Sequence, residues 1–269
     1  NVSEVLNKSL LNTKAYLKKI LPHDFVLRGL WAWYDYHNVK MAIKAHLLHK
    51  SWPEMTEYLS PFGEISWALL QENVMEKIRL PHHFEFDKDR ALKLFEQEND
   101  QQVIDFIFDQ ELYKYLGRWS QKLHSPFLQT WLKHSIDFKN AQLYIRLLKR
   151  EIPDLANDIF LLNGFIEVDL WKKPWAEVID NLLARGEKNL AQWLEDLYTH
   201  QDYQLFFVRT DNFLMDYLRQ ARFIPDGPEP IFAYWWGRKT ASEVIRTIFI
   251  AKKNHLKAEE IRPYLKKLY

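Results

Sequence analysis

Tyr34-Asp-Tyr-His-Asn-Val-Lys (34–40) and Ile136-Asp-Phe-Lys-Asn-Ala-Gln (136–142) are two copies of one pattern, Asp-aromatic-x-Asn, and Asn38 and Asn140 lie 102 residues apart. Around the first copy, Trp31, Tyr34, Asn38, Met41, Ala42, Ala45 and Leu48 recur mostly at steps of three and four; around the second, Leu132, Ile136, Asn140, Leu143 and Leu147 do the same. That spacing places the side chains on one face of a helix. Downstream of each helix come a leucine and a glycine turn, Tyr58-Leu-Ser-Pro-Phe-Gly-Glu-Ile and Leu161-Leu-Asn-Gly-Phe-Ile. A weaker third copy, Arg238-Lys-Thr-Ala-Ser-Glu-Val-Ile-Arg, puts Val244 104 residues beyond Asn140, on a stripe of Trp236, Thr240, Val244, Ile248 and Ala251. Leu59, Leu162 and Leu265 then align, 21, 22 and 21 residues past their anchors.

A second pair keeps the same period. Phe108-Asp-Gln-Glu-Leu-Tyr-Lys-Tyr-Leu resembles Thr210-Asp-Asn-Phe-Leu-Met-Asp-Tyr-Leu, so Asp109 pairs with Asp211 and Tyr115 with Tyr217, again 102 residues apart. Proline announces the helices that follow, at Ser125-Pro-Phe-Leu and Gly227-Pro-Glu-Pro-Ile-Phe. Several matches at one offset describe three diverged copies of a helical unit of about a hundred residues. The divisions expected are 1–66, 67–166 and 167–269. By register with the other two, the first copy lacks about 35 to 40 residues, which predicts a natural chain starting further upstream.

The remaining segments read the same way. Helices are expected over Glu4 to Ile20, Ser66 to Ile78, Asp87 to Glu98, Asp100 to Phe108, Leu112 to Lys122, Trp175 to Leu183, Asn189 to Tyr198, Phe213 to Arg222 and Lys257 to Leu268. Asp87 and Lys257-Ala-Glu-Glu carry carboxylates where a helix start favours them. Strand-like alternation is brief, with Gln204 to Val208 the best stretch. The fold class is therefore all-α. Composition agrees: seven glycines in 269 residues are too few for the tight turns of a Rossmann sheet or a propeller. The chain has no cysteine, which excludes disulfides, thiol nucleophiles and cysteine-held zinc. Lysine and arginine number 37 against 36 aspartates and glutamates, a balance that offers no broad field to nucleic acid. No run approaches the roughly 20 apolar residues of a membrane span.

The threefold repeat, Asp35-Tyr-His-Asn38, Asp137-Phe-Lys-Asn140, Asp109 with Tyr115-Leu116, and the closing Pro228-Glu-Pro-Ile-Phe-Ala-Tyr through Ile261-Arg-Pro-Tyr-Leu together resemble the C/d subunit of V-type and A-type rotary ATPases. The resemblance spans nearly the whole chain. It implies three helical modules arranged as a pseudo-threefold funnel and a non-catalytic central-stalk subunit on the cytoplasmic face of the membrane. The implied partners are the central axle subunits and the membrane rotor ring, and the implied role is coupling axle rotation to that ring in proton or sodium transport or ATP synthesis. Family members work beside an ATPase, but this subunit is expected to bind no nucleotide itself. Two departures stand out: Ala241 and Val244 replace the Asp and Asn in the third copy, and tryptophan is unusually frequent.

The residues themselves support a scaffold more than a reaction centre. Asp35/Asn38 and Asp137/Asn140 sit on apolar stripes, where buried polar groups must find partners. They are expected to hydrogen-bond across a helix junction rather than to form a binding site. His46 with His49, and His82-His83, are the histidines closest to a metal site. No His-Glu-x-x-His pattern supports one, so no metal and no cofactor are expected. No Gly-x-Gly-x-x-Gly, Gly-x-Ser-x-Gly or Walker loop is present. From Arg238 to Tyr269 there are nine basic and three acidic residues, and from Phe84 to Glu111 three basic and nine acidic. These poles are solvated faces or partner surfaces. A weak contact of Lys252, Lys253, Lys257, Arg262, Lys266 and Lys267 with acidic lipid is a minor expectation. The alternative function is a helical-repeat adaptor unrelated to any ATPase.

Overall fold

A computed structural model describes residues 2–21, 24–77, 87–98, 100–150 and 159–269. Every regular element among them is helical, and none is a strand, so the chain is all-α. It divides into two compact units, Leu11–Leu123 and His124–Tyr269, the latter together with the start of the chain through Leu10.

The Leu11–Leu123 unit is built from the later part of α1 (Val2–Ile20), then α2 (Asp24–Leu47), α3 (Trp52–Thr56), α4 (Trp67–Leu69), α5 (Lys88–Glu98) and α6 (Gln102–Lys122). The α4 helix runs directly into a π-helical turn over Leu70–Met75. α2 packs against both that turn and α6. Its buried residues Leu27, Leu30, Trp31, Tyr36, Val39, Ala42 and Ile43 nearly encircle the axis, as a helix with neighbours on several sides requires. Lys40 and Lys44 fasten α2 to α6 through Asp105, at 3.0 and 2.6 Å. Close approach at the start of α2 depends on Gly29, because the Trp119 indole occupies the place of a side chain there. That indole donates its Nε1–H to the Phe25 carbonyl at 2.9 Å.

The other unit contains α7 (Pro126–Arg150), α8 (Trp175–Ala184), α9 (Lys188–His200), α10 (Tyr203–Leu218), α11 (Glu229–Lys253) and α12 (Ala258–Ile261). α7 receives α9 and α10, and α9 also receives α8. Trp131 on α7 meets Phe232 and Trp236 of α11 edge to face, with ring centres 4.9 and 4.8 Å apart. The two proline-announced starts are joined: Ser125 Oγ accepts from the Leu128 amide at 3.1 Å and donates to Glu229 on α11.

Asp87 accepts from the Arg90 amide, as its place before α5 predicts. Several boundaries differ from the sequence expectations. Asp100–Phe108 and Leu112–Lys122 are parts of one helix, since Asp109, Gln110 and Glu111 are ordinary helix residues and the flanking apolar stripe is continuous. Gln204 to Val208 lies inside α10; its brief alternation is outweighed by packing on α7. Leu48 lies outside the core because α2 ends at Leu47. The expected helix from Lys257 to Leu268 stops early. Pro263 lacks an amide hydrogen and its ring obstructs the preceding turn, so only a 3-10 turn over Arg262–Tyr264 follows α12.

Candidate functional site

The two Asp-x-x-Asn patterns build the same joint twice. Asn38 Nδ2 donates to the Ser60 carbonyl at 2.9 Å while its Oδ1 accepts from the Ser60 amide at 2.8 Å. Asn140 Nδ2 donates to the Leu161 carbonyl at 2.8 Å and its Oδ1 accepts from the same residue's amide at 2.8 Å. One turn earlier on each helix, an aspartate takes the amides that follow the glycine. Asp35 Oδ1 accepts from Glu64 and Ile65 at 2.7 and 2.9 Å. Asp137 accepts from Phe165 and Ile166 at 3.0 and 3.1 Å, one amide on each oxygen. Glycine is required between the two contacts: a Cβ on Gly63 would lie 2.5 Å from Asp35 Oδ1, and one on Gly164 would lie 2.1 Å from Asp137 Oδ1.

This geometry corrects the leucine alignment. Ser60 is equivalent to Leu161, Gly63 to Gly164 and Ile65 to Ile166, an offset of 101 against 102 for the asparagines. One residue has been lost between helix and loop in the second copy. Leu59 therefore matches Phe160, both buried, and Leu162 stands 66% exposed. The first joint has an additional tie that the repeat pattern does not reveal. Lys14 on α1 donates to the Phe62 and Gly63 carbonyls at 2.6 and 2.9 Å, and Lys14 and Lys18 both pair with Glu64.

The stretch expected to be a third copy closes differently. With Ala241 and Val244 in place of the Asp and Asn, the chain end is held from α10. Asn212 Oδ1 accepts from the Lys267 amide at 2.6 Å, and the Arg219 guanidinium donates to the Leu268 carbonyl. Asp211 accepts Lys266 Nζ at 2.7 Å, and that ammonium also reaches Glu243. Tyr269 packs where Gly237 leaves room. Asp109 is half-buried on α6. Tyr115, on the same helix, faces the ring of Tyr36 at 6.1 Å, and Tyr217 stacks on Phe127 at 4.5 Å.

Beside the first joint lies a cavity of about 500 Å3, lined by Phe25, Trp31, Ala32, Asp35, Tyr36 and Tyr115 among others. Burial pushes the Asp35 carboxyl above its usual range, against the two amides that favour its charged form. Asp137 is more enclosed, 3% exposed, and burial pushes its carboxyl up to about 7 although two amides pull it down. Folding therefore takes up a proton between the unfolded value near 3.9 and the folded value, and stability contributed by this group is fully present below that window and declines as pH rises through it. Asp137→Asn removes the titration. The stability difference between wild type and variant should shift against the wild type from pH 4 to pH 7, by at most about 1.4 kcal/mol per pH unit. Urea unfolding at three pH values reads it; a constant difference would mean a carboxyl whose pKa folding leaves unchanged.

The histidines do not assemble. His46 ends α2 with Nδ1 against the Met75 carbonyl, whereas His49 lies beyond the helix with positive φ, so the two share no helical face. His82 and His83 lie outside the described residues. Among the described residues no group of three or more His, Cys, Asp or Glu is placed to hold a metal ion. In the basic carboxy-terminal segment, Lys266 and Lys267 are engaged with carboxylates, while Lys252, Lys253, Lys257 and Arg262 are exposed. Exposed Ile245, Phe249, Ile250 and Leu256 accompany them.

Among known families, the model of the ATP synthase (C/AC39) subunit matches residues 1–264 of this chain. The chain belongs to that family. No curated protein matches it significantly. The C/AC39 match runs through both Asp-x-x-Asn joints and on to Tyr264, so its span includes Asp35, Asn38, Asp109, Tyr115, Asp137, Asn140, Asp211 and Tyr217. No described helix of this C/AC39 subunit is long and apolar enough to cross a membrane.

Proposed function

We propose that this C/AC39 family member is the non-catalytic central-stalk connector of a V-type or A-type rotary ATPase, joining the soluble axle to the membrane rotor ring. The family match over residues 1–264 carries the reading. A connector must pass torque without yielding, and torque is lost wherever a loop can shear from its helix. The Asp35/Asn38 and Asp137/Asn140 joints oppose such shear with four hydrogen bonds each, largely buried in the second joint and half-buried in the first. Close-packed interiors resist deformation and transmit strain, which suits a coupling element.

The division into modules 1–66, 67–166 and 167–269, and their funnel arrangement, belong to the same proposal; the joints at Ile65 and Ile166 close the first two modules. The subunit is peripheral, at the cytoplasmic face. The exposed Ile245, Phe249, Ile250 and Leu256, with Lys252 and Lys253, supply an apolar and basic surface suited to the ring or, weakly, to acidic lipid. Tagged protein co-expressed with axle and ring subunits should retain both on affinity purification. Retention of neither, with another complex captured instead, would favour an unrelated adaptor.

A further inference from the structure

The hydrogen bonds of the two joints make residue 32 equivalent to 134 and 64 to 165, and the 102-residue offset of Asp109 and Asp211 makes 111 equivalent to 213. In the second copy these three positions are His134, Phe165 and Phe213, and their rings fill the space beside Asp137. The His134 ring centre lies 4.7 Å from that of Phe165 and 5.0 Å from that of Phe213. In the first copy the same positions are Ala32, Glu64 and Glu111, none with a ring. The cavity of about 500 Å3 lies beside Ala32 and Glu64, walled by Phe25, Trp31, Tyr36 and Tyr115 together with the charged Arg28 and Lys122. The aspartates differ in a matching way. Asp137 spends one oxygen on each amide, whereas both amides of the first joint go to Asp35 Oδ1, leaving Oδ2 uncommitted to any described residue.

We propose that this cavity receives an aromatic ring from outside the chain, one bearing an N–H or O–H that donates to Asp35 Oδ2, and that the ring is a tyrosine or tryptophan side chain of a protein partner. The ring chemistry follows from the second copy, which fills the equivalent volume with its own rings. The protein source rests on the connector reading. Aromatic side chains seated in pockets dominate the energetics of such contacts.

The test uses the whole protein and side-chain analogues. 4-Methylphenol and 3-methylindole should bind saturably, observed by chemical-shift perturbation around Asp35 and Ala32, and 4-methylphenol should bind about five- to tenfold more tightly than toluene, the worth of one hydrogen bond to a carboxyl group. Ala32→Phe, which puts a ring in the cavity, should abolish that binding without lowering the melting temperature. Asp35→Asn, whose remaining oxygen can still take both loop amides but whose Nδ2 cannot accept, should remove the advantage of 3-methylindole, a donor only, over toluene. No saturable binding, binding untouched by Ala32→Phe, or toluene bound equally by the wild type would overturn the site. In the complex with axle and ring subunits, Ala32→Phe should weaken retention at least about tenfold; unchanged retention would overturn the protein source. If even the wild type retains neither subunit, the connector reading fails and takes that source with it, while analogue binding still decides the ring site separately.

Discussion

Asn140→Ala should destabilise the protein by about 3–5 kcal/mol, because it leaves both polar groups of Leu161 buried without partners, each costing about 1–3 kcal/mol. Asn140 is fully buried and Leu161 is 3% exposed, so water cannot replace the amide. Asn38→Ala makes the same chemical cut at Ser60, which is only half-buried. Solvent can partly satisfy that backbone, and the loss should be nearer 1–2 kcal/mol. Denaturant unfolding of the two variants side by side reads the difference. Equal losses would mean that burial does not set the strength of the joint. A stable Asn140→Ala protein that had lost a partner would show the pair to be a binding site after all.

Gly29→Ala should cost about 2–4 kcal/mol, through overpacking and the loss of one hydrogen bond. The new Cβ would stand 2.2, 2.4 and 2.5 Å from three atoms of the Trp119 indole. Trp119 is 3% exposed and its Nε1–H is held by the Phe25 carbonyl, so the ring cannot swing clear without breaking that bond. Gly117→Ala is the matched control. It lies inside α6 with nothing within 4 Å of the added carbon, and should stabilise by about 0.5–1 kcal/mol through helix propensity. Melting temperatures moving in opposite directions are expected; a neutral Gly29→Ala would mean that α2 and α6 can separate at Trp119.

The first two joints were legible because their chemistry is exacting. Clamping a loop to a helix takes a side chain that both donates and accepts, a carboxylate one turn away and a glycine between them, so Asn, Asp and Gly recur in order. Leucine carried no such demand. Counting leucines paired Leu59 with Leu162, whereas the hydrogen bonds pair Leu59 with Phe160. The third closure was illegible because Asn212 and Arg219 hold it from the preceding helix, and nothing in the spacing of α11 announces that substitution. Lys14 was missed for a similar reason: a lysine on a helix ordinarily faces water, and only the fold brings it to the Phe62 and Gly63 carbonyls. The cavity had no signature either, since Ala32 is unremarkable until His134 shows what an equivalent position can hold.

Ion pumping by the assembled rotary ATPase, measured with and without this subunit, tests the connector reading most directly. ATP hydrolysis in the depleted enzyme should build no ion gradient, and adding the purified chain should restore one. A gradient of full size in its absence would contradict a role in coupling axle to ring.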